Sequence, residues 1–290
     1  MAADNSTTYG HLLKYWRQVR NFSQMELALE CDTSSRHLSC VETGRAHPSR
    51  QLLLSLCSAL EIPLRVRNTI LISSGYAPLY QDTGLSQPEM REARLVLEKI
   101  LRLHEPYPAM LIDRCWNIVL HNRTFEALGQ AFLKDPALLR SENINLLRLL
   151  FHPDGMAQQI DNLAYVYDTM MERARRTLIV GDPNNQLNRL LEEIADYRPK
   201  ENDRMSSDHN RLKALNSAAA AEQTNGSEQA SLPQLIMPVH FRNSEWDIEV
   251  FTTVATLGSP LNITLQELQI ECAYPVDDSS DVQLRKLTTA

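Results

Sequence analysis

The sequence predicts two domains, an all-α bundle of five helices at the N-terminus and an α+β domain whose antiparallel sheet is covered by helices. Three observations carry that prediction. Up to Gly75, apolar residues recur three or four apart in five short runs, each bounded by a cap or a stop signal. Beyond Pro108 the period becomes extended, twice around Asp113-Arg114-Cys115 and three more times from Gln234 onward, with a helical stretch between. With 290 residues and 43% hydrophobic content, the chain suffices for two separate cores.

In the first domain, Leu12, Leu13, Trp16 and Val19 form the stripe of the first helix, with Lys14, Arg17 and Arg20 expected in solvent. Ser23 stands at an N-cap position with Glu26 three residues on. This capping box satisfies the first amides of a second helix, from Gln24 to about Cys31. Leu27, Ala28 and Cys31 share its inward face, and Ala28 is small enough for another helix to cross closely. Asp32 falls in the following turn and tolerates left-handed backbone better than most residues. Thr33 or Ser34 caps the third helix, whose Leu38 and Val41 face inward. Gly44 then occupies a C-cap position, and Ser49 restarts a fourth helix with Leu52, Leu53, Leu56 and Leu60 inward. After Pro63 a fifth helix runs to Gly75.

The second and third helices, joined by a tight turn, follow the grammar of a helix-turn-helix DNA reader. Ser34, Ser35, Arg36, Ser39 and Cys40 point outward near the start of the third helix. Small polar groups and one Arg there suit a major groove, where Arg bonds a guanine edge and Ser meets phosphate or base. Amphipathic helix pairs with capping boxes also occur in ordinary bundles. The joint spacing of cap, Ala28, Leu38, Val41 and the exit Glu42-Thr43-Gly44-Arg45 sets this pair apart. Gln24, Glu26-Leu27-Ala28, Leu38-Ser39, Glu42 to Arg45 and Pro48-Ser49 resemble the Xre or lambda-repressor family of helix-turn-helix domains, over about the first 75 residues. The resemblance implies that Gln24 grips phosphate, that Ser34, Ser35, Arg36 and Cys40 face the groove, and that Ser39 and Arg45 lie near the DNA backbone. Asp32 stands where the family usually has Gly.

Charge is distributed to match. The chain carries −7, but residues 1–80 hold eight Lys/Arg against six Asp/Glu, about +2, which leaves about −9 for the remainder. A local face from Arg17, Arg20, Arg36, Arg45 and Arg50 is expected to supply phosphate attraction. A reader this weakly basic is expected to bind as a homodimer on a two-half-site operator. No run of about eighteen apolar residues appears, so no membrane span is expected, and the N-terminus lacks a basic apolar signal. Five widely spaced cysteines without a C-x-x-C pair fit a reducing cytoplasm and give no structural zinc site.

The composition places the first domain at 1–84, a connector helix at 85–105, and the second domain at 106–290 with a flexible polar insertion at 200–230. The connector starts at Pro88 and carries Val96, Leu97, Ile100 and Leu101. Ala109 to Asp113 and Trp116 to Leu120 read as a hairpin, and Asn122 as the cap of a helix through Phe125, Leu128 and Phe132. Asn143 to Tyr197 is helical by period. Gln234 to Arg242, Trp246 to Ala255 and Leu265 to Tyr274 read as closing strands. Two strands, helices, then three strands is the order used by PAS-type sensor folds.

Ile112-Asp113-Arg114-Cys115-Trp116 through Asn122, Leu146 through Gly155, and Phe251 through Glu271 resemble the MmyB-like regulator family, and Glu42 to Ser49 and Gly75 to Tyr80 agree with it. The resemblance spans nearly the whole chain and implies a reader followed by a PAS-like domain that senses an apolar small molecule, a fatty acid being one type. The 200–230 insertion departs from the family. Trp116, Phe125, Leu147, Phe151, Phe241 and Phe251 are candidates to line a pocket, with Arg148 or His152 meeting a polar head group. The same residues equally suit a filled core. His121, His152, Asp154, Asp113 and Cys115 make no catalytic spacing, so no enzyme and no cofactor beyond such an effector is expected. The competing reading is an antitoxin-like DNA-binding protein whose second half captures a protein partner.

Overall fold

A computed structural model describes residues 8–141, 143–178, 186–199, 237–257 and 262–289. The chain forms two compact units. The first holds residues 8–89 with 257 and 262–266, and the second holds 90–178, 186–199, 237–256 and 267–289.

Five helices build the first unit: α1 (Thr8–Val19), α2 (Gln24–Glu30), α3 (Ser35–Glu42), α4 (Arg50–Ala59) and α5 (Leu64–Ser73). Leu13, Leu27, Leu38, Val41, Leu53, Leu56, Leu60 and Ile70 are fully buried at its centre. The capping box is complete, since Ser23 Oγ accepts from Glu26 N at 3.1 Å and Ser23 N donates to Glu26 Oε2 at 2.8 Å. Ser34, rather than Thr33, caps α3. Asp32 takes the left-handed backbone its turn requires, at φ 49°, as do Gly44 at 72° and Gly75 at 76°.

Two expectations for α1 need correction. Val19 is 48% exposed because it lies in the last turn, beyond the crossing of α3. Arg17 is buried rather than solvated, because Glu42 of α3 supplies a matching charge. Gly10 of α1 makes this close crossing possible, since a Cβ there would lie 2.6 Å from the Glu42 carbonyl oxygen.

Residues 263–266 of this unit lie in a short helix, α11 in chain order (Ile263–Glu267), so Leu265 to Glu267 are helical rather than extended. Asn262 begins it by accepting from Leu265 N. Pro63 gives α5 no side-chain cap, and Gln266 Oε1 accepts instead from Leu64 N at 2.9 Å.

The second unit begins with α6 (Arg91–Leu103), which turns Leu97 and Leu101 inward and leaves Val96 and Ile100 exposed. Its strands β1 (Ala109–Ile112), β2 (Ile118–His121), β3 (Pro238–Arg242), β4 (Asp247–Thr256) and β5 (Gln269–Pro275) form one antiparallel sheet in the order β2-β1-β5-β4-β3. The remaining helices are α7 (Arg123–Phe132), α8 (Leu146–Phe151), α9 (Leu163–Arg176), α10 (Gln186–Ala195) and α12 (Asp278–Thr289).

Alternation along the strands sends Met110, Ile112, Val239, Phe241, Ile248, Val250 and Ala273 to one face, where they merge with apolar side chains of α7 to α10 and α12. Asn122 ties the framework together: its Oδ1 accepts from Phe125 N and Ala109 N, and its Nδ2 donates to the carbonyls of Leu101 and Tyr107. A helix, not a strand, closes the chain. α12 starts on Asp277, which accepts from Ser280 N, and buries Leu284 and Leu287. Trp116 sits in the turn between β1 and β2 rather than opening β2. Gln234 to Ile236 and the 200–230 insertion lie outside the described residues.

Candidate functional site

The outward end of α3 carries the residues expected to read DNA. Ser34, Ser35 and Arg36 are exposed at its first turn, Ser39 and Cys40 are half-buried one turn later, and Arg45 is exposed beyond Gly44. Arg36 and Cys40 are four apart and share a face. Ser34 Oγ already accepts from His37 N, so its hydroxyl hydrogen is the group left to donate. Arg36, Arg45 and Arg50 form no ion pair among the described residues, whereas Arg20 pairs with Glu61 at 3.4 Å. Arg17 does not join this basic face.

Arg17 instead fixes α3 in place. Its Nε and Nη2 donate to the two oxygens of Glu42 at 2.6 and 2.9 Å, and its Nη1 donates to the Phe22 carbonyl at 2.9 Å. Gln24 Nε2 donates to Glu42 Oε2 at 2.8 Å. Gln24 is half-buried at the start of α2, so one buried carboxylate joins α1, α2 and α3. The Glu42 hydrogen bonds hold the Arg17 pKa above its ordinary value. Sequence reasoning missed this pair, because neither residue looks apolar at an inward position.

In the second unit, Trp116, Phe125, Leu147, Phe151 and Phe241 come together in one buried cluster between the sheet and the helices. Phe132 meets Phe241 with ring centres 5.3 Å apart, and Phe151 meets Tyr167 at 5.1 Å. Phe251 does not join them. It follows Val250 on β4, so it points to the opposite face, where it stacks on Tyr274 at 5.4 Å. Arg148 and His152 also stand apart from the cluster. Arg148 pairs with Glu193 at 2.6 and 2.8 Å, which holds the Glu193 carboxyl below its usual range, and His152 packs edge-on against Tyr197.

A polar group that the sequence reading passed over borders this apolar interior. Glu271 of β5 is 2% exposed and lies opposite Met110 of β1 and Val254 of β4. Arg173 of α9 reaches it, and its Nη2 donates to Glu271 Oε1 at 2.5 Å and to Gln269 Oε1 at 2.9 Å. The guanidinium lies 4.6 Å from the centre of the Trp116 ring. Burial pushes the Glu271 carboxyl up, and Arg173 opposes that shift. The available signal was Glu271 at an inward strand position.

Trp116 is positioned with care: its φ is 65°, costly for a bulky residue. Asp113 holds the turn by accepting from the amides of Cys115 and Asn117, and Asn145 Nδ2 donates to the Cys115 carbonyl. Polar residues near these turns have structural partners. Asp113 serves the turn, Asp154 pairs with Lys134 at 2.7 Å, and His121 packs on Phe125.

An open concavity of about 760 Å³ lies between the β3–β4 turn and α12, lined by Arg242, Trp246, Gln283 and Lys286 among others, and holds none of the expected ligand residues. Among the described residues, no helix is long and apolar enough to cross a membrane, and no group of three or more His, Cys, Asp or Glu is placed to hold a metal ion.

A family model for a helix-turn-helix domain matches residues 8–69, and that of the MmyB-like transcription regulator ligand binding domain matches residues 93–287. No curated protein matches the chain. Among solved structures, the clp gene regulator ClgR from Corynebacterium glutamicum is similar at 24% identity. The likeness covers 35% of this chain and 95% of that one, with a TM-score of 0.22. The longer family match spans more than half the sequence and coincides with the sheet-and-helix unit, while the shorter one coincides with α1 to α5. The chain therefore belongs to the MmyB-like transcription regulators, DNA-binding proteins in which a helix-turn-helix domain precedes a ligand-binding domain.

Proposed function

We propose that this regulator binds a two-half-site operator as a homodimer, and that an apolar small molecule of the fatty-acid class, held inside the second unit, controls it. The observation that carries this reading is the composition of the buried cluster. Trp116, Phe125, Leu147, Phe151 and Phe241 meet four methionines there, Met110, Met156, Met170 and Met171. Methionine is unbranched and repacks at low cost, so this interior can open around an alkyl chain by changing rotamers. The strand order β2-β1-β5-β4-β3, with helices over one face, supports the PAS-like reading of the unit.

Pairing is supported by charge and by α6. Three arginines with no ion pair among the described residues, on a weakly basic reader, give little phosphate attraction per copy, so a second copy is needed to hold the operator. Val96, Ile100 and Leu103 form an exposed apolar flank along α6 that a second copy can cover.

Mass spectrometry of small molecules released by denaturing the purified protein tests the effector directly, and a copurified long-chain acid is the expected result. A protein that releases none, and whose melting temperature is unmoved by acids of several chain lengths, has a plain core. Sedimentation with selected operator DNA tests the dimer, which is excluded if one copy saturates the site.

A further inference from the structure

The structure assigns a second role to the Arg173–Glu271 pair: we propose that Arg173 anchors the acidic head group of the effector, and that Glu271 is the internal carboxylate occupying this anchor when no effector is bound. The site then selects acidic amphiphiles over neutral ones. This inference rests on the reading that the interior of the second unit takes an apolar molecule.

The geometry of the guanidinium carries it. Arg173 uses only Nη2 for Glu271 and Gln269, and its Nη1 and Nε make no hydrogen bond to a described residue. A carboxylate that binds Arg through both oxygens takes either the Nη1–Nη2 edge or the Nε–Nη2 edge. Both edges include Nη2, so such a ligand must take one Nη2 hydrogen from Glu271 or Gln269. The free donors and the competitor therefore sit on one group.

Position supports the same role. α9 places Met170, Met171 and Ala174 in the buried cluster, with Arg173 beside them. The ring under the guanidinium, Trp116, belongs to that cluster, as does Met110, the strand neighbour of Glu271. An alkyl chain in the cluster can end at Arg173 without crossing polar ground. The pair is also asymmetric, since the Arg173 side chain is 26% exposed and that of Glu271 only 3%. A second carboxylate beside a buried one is costly unless one of them takes a proton. Burial raises the Glu271 carboxyl, which makes it the group that yields.

The test uses the full chain, delipidated, with dodecanoate and dodecanol as probes in a displacement assay. Wild type is expected to prefer the acid. Arg173→Gln should weaken acid binding by about tenfold or more with the alcohol unchanged, and Glu271→Gln should tighten it by removing the competing charge. The double variant Arg173→Met with Glu271→Leu replaces the pair by apolar groups of similar size, which keeps the unit packed, and should bind acid and alcohol alike. If the acid-to-alcohol ratio is the same in all four proteins, the head group lies elsewhere and the pair only pins α9 to the sheet, while the apolar-effector reading stands. If neither probe binds wild type, both ideas fail.

Discussion

Removing the Glu42 carboxylate should destabilise the first unit by about 3–5 kcal/mol, the usual cost of leaving one half of a buried ion pair alone. The structure sets the reasons. Glu42 is 3% exposed and accepts two hydrogen bonds from Arg17 and one from Gln24. In Glu42→Ala the Arg17 side chain, 11% exposed, keeps only the Phe22 carbonyl as an acceptor. Water reaching the vacated space would move the loss toward the lower figure. Amide hydrogen exchange by mass spectrometry on the full chain reports α1 and α3 separately from the second unit. Since about 1.4 kcal/mol is tenfold, protected amides of both helices should exchange about two to three and a half powers of ten faster. Glu42→Gln retains an acceptor and should lose less. Arg17→Met combined with Glu42→Leu removes both charges and should recover most of the loss. Wild-type exchange rates in Glu42→Ala would falsify the claim that this ion pair holds α3 in place.

Four further outcomes are expected. Arg36→Ala should cost about 1–3 kcal/mol of operator binding and relax choice at one base pair, read by selection from random DNA and by band shift; unaltered affinity removes Arg36 from the reader. Arg45→Ala should lower the slope of log affinity against log salt by about 0.9 per bound copy, and an unaltered slope means Arg45 touches no phosphate. Gly10→Ala should cost about 1–3 kcal/mol, because its Cβ would stand 2.6 Å from the Glu42 oxygen and 2.8 Å from that of Val41; an unshifted melting midpoint contradicts so close a crossing. Burial pushes the Cys57 thiol up to about 12, so its thiolate is scarce at pH 8 and an alkylating reagent should reach Cys40 before Cys57. Operator DNA should then protect Cys40, and equal labelling with and without DNA places it off the interface.

Helices α1 to α5 of the first unit were legible almost throughout, because each is announced locally. Ser23 with Glu26, Ser49, Gly44 and Gly75 are signals read over three or four residues, and all act as expected. The sheet was legible in its strands but less so in its ends. Leu265 to Glu267 continue an apolar pattern that suits either period, and the pairing of Gln266 with Leu64, about 200 residues away in the chain, lies beyond any local window. α12 escaped because it buries only Leu284 and Leu287, too few for a stripe, although its acidic first turn was visible. Phe251 stands apart from the expected cluster for a simpler reason. Its side of β4 follows from parity with Val250, and aromatic content alone does not reveal parity.

The candidate sites share one property that explains why sequence patterns find them only in part. Arg17 and Glu42 in the first unit, and Arg173 and Glu271 in the second, break the local apolar period at inward positions. A helix or strand read alone treats such a residue as marking an outward face, since an unpaired buried charge is prohibitive. The cost falls only when a second element brings the opposite charge, and that element lies 25 residues away in one case and 98 in the other. The two pairs then differ in what they leave over. Glu42 takes three donors and closes the Nε–Nη2 edge of Arg17, whose Nη1 is spent on the Phe22 carbonyl, so this pair is a clamp on the reader helix. Among the described residues Arg173 spends Nη2 alone, beside an interior rich in methionine, and its remaining donors are the chemical basis of the selectivity proposed for it.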